Sequence, residues 1–246
     1  FTQSILYGLY IPTFAGCLRW LMFENEGWKL RPCKQMTWSY IIIAILVFAV
    51  STADVLIGFW LTRTRFAGQQ SITDRLSFLS VAIEGTTLII IDAVLIFRCW
   101  TVYGRSWRVI CLPLVLWACT VACAVTWTVC NAVGVELINS PTAVAIGVGV
   151  FYACNFATNV YATCAIVYRL MRVARANSSR SSIIYRICRT VAATGSLYTL
   201  TSLPLVVTAF FMPNNMTPYL ICDAINFSTA GITFNLLLIR VGQIRA

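Results

Sequence analysis

The sequence predicts an all-α integral membrane protein, a seven-helix bundle with its N-terminus outside and its C-terminus in the cytosol. Three observations predict it. First, 59% of the 246 residues are hydrophobic and only 11% are charged, whereas a soluble domain carries roughly 25% charged residues to face water. Second, the apolar residues fall into seven continuous runs, each near the ~20 residues a spanning helix needs. Third, Lys and Arg crowd alternate connections, as the positive-inside rule requires.

The runs are Ser4–Phe23, Trp38–Leu61, Leu76–Trp100, Val109–Asn131, Ala143–Met171, Ile183–Met212 and Pro218–Ile239. Glu24-Asn25-Glu26-Gly27 ends the first, Thr62-Arg63-Thr64-Arg65 the second and Gly104-Arg105-Ser106 the third. Asn139-Ser140-Pro141, Asn177-Ser178-Ser179-Arg180 and Pro213-Asn214-Asn215 punctuate the rest. Helices satisfy their own backbone groups in lipid. A membrane barrel would show short runs of alternating polarity instead. The connections are short, so residues 1–246 are expected to form a single domain with sequential helices antiparallel. A start at Phe1 without Met leads to the expectation that both tails are truncated.

Orientation follows from charge. The fifth connection and its flanks hold Arg169, Arg172, Arg175, Arg180, Arg186 and Arg189 without an acid. The first carries Lys29, Arg31 and Lys34, the third Arg105 and Arg108, and the fourth and sixth carry no Lys or Arg. Only the second, with Arg63, Arg65 and Arg75, pulls the other way. This distribution accounts for the net charge of +10 without a nucleic-acid surface. It leaves the basic stretch Arg172–Arg180 to meet anionic lipid or a cytosolic signalling partner. The expected location is the plasma membrane.

Missing residues exclude chemistry. With no histidine, His-based metal sites and Ser–His dyads are ruled out, and no catalytic residue, metal or cofactor is assigned. Both lysines, Lys29 and Lys34, lie in the first connection, so no helix offers a Schiff-base lysine for retinal. The cysteines, such as Cys111, Cys119, Cys123 and Cys130 along one run, read as small apolar packing residues.

Four acids remain inside the apolar runs: Asp54, Glu84, Asp92 and Asp223. An ionisable group at the bilayer centre costs about 2.5–3.5 kcal/mol on insertion scales, and so faces the bundle interior. At 1.5 Å rise per residue, Asp54, Glu84 and Asp223 fall roughly 7–12 Å below the outer surface. Together with Asn226 they are expected to line one outer-half pocket for a small, cationic ligand. The plainer reading is that each acid bonds a neighbouring Ser, Thr or Asn. Asp92 lies deeper, on the stripe of Glu84 and Leu88. With Asn155 and Asn159, an i, i+4 pair, and with Arg98 at the inner end of the third helix, it forms an expected inner polar network or switch. Interhelical glue at ~0.6 kcal/mol per bond is the structural alternative.

The third run ends in Asp92-Ala93-Val94-Leu95-Ile96-Phe97-Arg98-Cys99-Trp100, followed by Trp107-Arg108-Val109-Ile110-Cys111-Leu112-Pro113. Ala157-Thr158-Asn159, Tyr168-Arg169, Gly195-Ser196-Leu197-Tyr198 and Gly231 through Arg240-Val241-Gly242 add to this pattern. It resembles an uncharacterised family of seven-transmembrane proteins abundant in mushroom-forming fungi, closely from the third helix onward and loosely before it. The chain departs from that family in carrying Phe97 where a Tyr is usual, and Ala193 where a Glu usually precedes the Gly-x-Leu-Tyr stretch. The resemblance implies the seven-helix architecture and assigns no ligand.

Helix count, orientation and outer-half acids point to a receptor-like protein sensing a small ligand and signalling to the cytosol. A small-solute transporter is the alternative, though its expected parallel repeats are not evident between the first three and last three helices. An enzyme is not expected.

Overall fold

Each apolar run is a helix. A computed structural model describes residues 2–23, 38–133, 141–176, 181–211 and 216–245. Among them are seven helices: α1 (Thr2–Met22), α2 (Trp38–Phe66), α3 (Gln70–Val102), α4 (Trp107–Val133), α5 (Pro141–Ala176), α6 (Ser181–Phe210) and α7 (Met216–Arg245). All seven are long and apolar enough to cross a membrane, which marks the chain as a multi-pass membrane protein. Large side chains left exposed include Ile5, Leu9, Ile42, Leu56, Leu112 and Leu200. Fully buried ones include Asp54, Asp92, Asn155 and Asn226. Apolar side chains facing outward, with acids and amides kept from the surface, is the distribution lipid favours.

Several helices outrun the apolar spans. The second was expected to stop at Leu61 and the third to start at Leu76, but α2 reaches Phe66 and α3 begins at Gln70. Thr62 and Thr64 donate their hydroxyls to the carbonyls of Gly58 and Leu61, so these polar residues are accommodated within the helix. The break comes at Gly68, whose φ of 69° suits a residue without Cβ. There the Gly68 and Gln69 amides return to the carbonyls of Arg65 and Thr64, closing the helix end. Thr73 then donates to Thr64 at 3.1 Å.

The chain forms two compact units. The first comprises residues 1–87 and 227–246. Within it α1 and α2 run antiparallel, since Gln3 meets Asp54, Tyr7 meets Thr52 and Phe14 stacks on Phe48. Phe14 and Phe48 lie 4.0 Å apart and 6° from parallel, and Tyr7 and Tyr10 extend the stack at i, i+3, i+7 spacing. The α7 segment runs parallel to α1, with Gly231 against Tyr10, Asn235 against Thr13 and Ile239 against Gly16.

The second unit comprises residues 88–226. Its apolar core gathers Leu95, Ile96 and Cys99 of α3 with Ile110 of α4 and Ala162 and Ile166 of α5. Tyr103 donates to the Ala165 carbonyl, Tyr161 to that of Val109, and Trp117 to that of Ile89. Helices α5 and α6 are antiparallel: Gly149 faces Phe210, Asn155 faces Tyr198, and Thr163 faces Gly195.

Candidate functional site

In the first unit the polar side chains centre on Asp54, which is 0% exposed. The Gln3 amide Nε2 donates to Oδ2 at 2.6 Å, and Ser80 Oγ donates to Oδ1 at 2.6 Å. Glu84, one turn beyond Ser80 on α3, also hydrogen-bonds Asp54. A bond between two carboxyl groups needs a proton between them, so at least one of the two is protonated. The described partners of Asp54 are amide, hydroxyl and carboxyl groups, with no cation among them.

Beside Gln3 lies a cavity of about 10 Å³, room for one water. Tyr7, Tyr10, Ser51, Val55, Phe227 and Ser228 wall it. Tyr10 is 2% exposed, and its hydroxyl has no hydrogen-bond partner among the described residues. Ser51 and Asn235 lie near it without making a well-aligned bond. The cavity thus combines aromatic walls with an unsatisfied buried hydroxyl, and the Asp54 carboxyl is bonded to Gln3.

The second unit holds a separate buried network. Asn155 Nδ2 donates to Asp92 Oδ2 at 2.8 Å, and the Tyr198 hydroxyl donates to Asn155 Oδ1 at 2.6 Å. Asn226 lies beside Tyr198 and accepts from Thr201 at 3.5 Å. Asp92 Oδ1, Thr158 Oγ1 and Asn226 Nδ2 have no partner among the described residues. Nearer the start of α7, Tyr152 donates to Asp223 Oδ1 at 2.6 Å. Tyr219 lies 3.4 Å from the Tyr152 hydroxyl.

Of the four residues assigned to an outer pocket, Asp54 and Glu84 meet in the first unit. Asp223 and Asn226 belong to the second, with Tyr152 and Thr201 as partners. Of the inner set, Asp92 and Asn155 are bonded. Asn159 accepts from Thr163 on its own helix at 3.4 Å, and Arg98 is 8% exposed within the second unit. Residues 177–180 of the basic fifth connection, and Lys29, Arg31 and Lys34 of the first, lie outside the described residues. Sequence reasoning passed over Gln3, Ser80, Tyr10 and Tyr152. A tyrosine or glutamine in an apolar run carries no charge penalty to draw notice.

No family model, no curated protein and no solved structure matches this chain.

Proposed function

We propose that this chain is a receptor-like seven-helix membrane protein that senses a small ligand in the outer half of the bilayer and signals to the cytosol. The observation that carries this reading is the buried Asp54, bonded to the half-buried Glu84, beside a water-sized, aromatic-walled cavity. An acid in a membrane helix is costly, and residues of this kind commonly mark ligand or ion paths. The distribution of Lys and Arg supports an outside N-terminus, a cytosolic C-terminus and residence in the plasma membrane. Membership of the mushroom-fungal family belongs to the same proposal, on the strength of the Asp92-to-Trp100 stretch. The cytosolic partner would meet the arginines around Arg172–Arg180.

The test is a thermal-shift screen of small molecules against the purified protein in lipid nanodiscs. The expected result is a ligand that stabilises the wild type and not Asp54→Asn, and that proteoliposomes do not accumulate. Accumulation of that ligand would replace the receptor reading with transport. A screen in which no stabilisation depends on Asp54 overturns the pocket.

A further inference from the structure

We propose that the Gln3 amide is a built-in occupant of a binding site for small protonated amines, and that a ligand binds by displacing it. This rests on the pocket reading above and adds a ligand class and a gate. Gln3 lines the cavity and donates to Asp54 Oδ2 at 2.6 Å, while Asp54 itself is wholly buried and absent from the cavity wall. The side chain therefore stands between the space and the charge. One turn along α2, Gly58 borders the amide: a Cβ built there would lie 3.5 Å from Gln3 Oε1, an ordinary contact.

A protonated primary amine presents the same N–H donors to Asp54 as the amide does, and adds a positive charge, which favours an ionised carboxyl beside it. Tyr7, Tyr10 and Phe227 line the space with aromatic rings, a residue type that attracts cations. The Tyr10 hydroxyl, buried and unpartnered, offers an acceptor lone pair. Size restricts the class. The cavity alone holds one water, and adding the space vacated by a carboxamide admits methylammonium but not a bulky quaternary ion. The competing occupant is the Gln3 amide itself. Its bond to a charged acceptor is among the stronger neutral–ion contacts, so removing it should tighten amine binding by about tenfold or more.

The probe is methylammonium chloride, with tetramethylammonium chloride at equal ionic strength as control, read by thermal shift on the protein in nanodiscs. Gln3→Ala opens the site, Gln3→Leu keeps it filled without a donor, and Asp54→Asn removes the charge. If Gln3→Ala does not fold, Gln3→Ser takes its place. The expected result is half-saturation in Gln3→Ala at about one-tenth the wild-type concentration or lower, with no methylammonium-specific shift in Gln3→Leu or Asp54→Asn. Half-saturation unchanged in Gln3→Ala, or a shift retained in Asp54→Asn, overturns the proposal. If Gln3→Ala changes nothing while another small molecule stabilises in an Asp54-dependent way, the gate fails and the pocket stands. If nothing depends on Asp54, both fall.

Discussion

Asn155 and Asp92 are joined across α5 and α3 by a 2.8 Å hydrogen bond, and Tyr198 of α6 completes the Asn155 amide from its other side at 2.6 Å. The amide is used at both ends, its Nδ2 donating to the Asp92 carboxyl and its Oδ1 accepting from the Tyr198 hydroxyl. The pair therefore fixes the register of three helices at one point.

Replacing Asn155 tests that role. Asn155→Leu keeps the bulk and strands both a carboxyl and a hydroxyl in the interior, and should cost about 1–3 kcal/mol. Asp92→Asn should be far milder, since its carbonyl can still accept from Asn155. Equilibrium unfolding in a detergent–denaturant titration would rank the two. A loss for Asp92→Asn as large as that for Asn155→Leu would show that the acid itself, and not the hydrogen bond, is what the site requires.

Gly195 of α6 packs closely against α5. A Cβ there would run into the Thr163 side chain, so Gly195→Ala should destabilise by about 1–3 kcal/mol. Thr163→Ala removes the colliding Cγ2 and Oγ1 atoms, and the double variant should recover most of the loss. A double-mutant cycle with no coupling between the two positions would refute the close approach.

The existence of all seven helices was legible because apolar runs of this length have few alternatives. Their ends were less so. Thr62, Arg63, Thr64 and Arg65 look like loop residues, yet threonines that bond back to their own helix continue it. Continuous apolar sequence begins at Ser4, whereas the helix begins at Thr2, so the run does not reach Gln3 and its bond to Asp54. Asp92 and Asn155 stand out individually as polar residues in apolar surroundings. Their pairing depends on the register of α3 against α5, which periodicity along one helix does not contain.

Tyr103 gives a pH-dependent prediction. It follows the last residue of α3, donates to the Ala165 carbonyl at 2.9 Å and lies under the Arg169 guanidinium. Burial, with smaller contributions from Cys99 and Tyr161, pushes its phenol above the ordinary value of 10.0 despite the opposing pull of Arg169. For a group raised in the folded state, the stabilisation is complete below the unfolded value near 10 and is lost as pH rises through the higher folded value. Tyr103→Phe should therefore be less stable than wild type near neutral pH by about 1 kcal/mol for the lost hydrogen bond. The gap should narrow as pH rises through and beyond 10. Melting temperatures of both proteins from pH 8 to 11.5 would check it, and a constant gap would contradict it.

The orientation proposal and the amine site stand on a shared geometric fact. Gln3 sits in the first turn of α1 and touches Asp54, so the side of the membrane on which α1 begins is the side nearer the carboxyl pair. The proposed orientation puts that side outside, because the fourth and sixth connections hold no Lys or Arg, while the fifth is flanked by Arg169, Arg172, Arg175, Arg186 and Arg189. Single cysteines introduced as Ser140→Cys and Ser179→Cys report the two sides. Cys17 and Cys99 are both 0% exposed and can be kept, with the remaining native cysteines replaced. An impermeant maleimide added to intact cells should label Ser140→Cys and leave Ser179→Cys untouched until the cells are opened. Labelling of Ser179→Cys from outside would invert the chain. It would also turn the Asp54 site toward the cytosol, where an extracellular amine does not reach it.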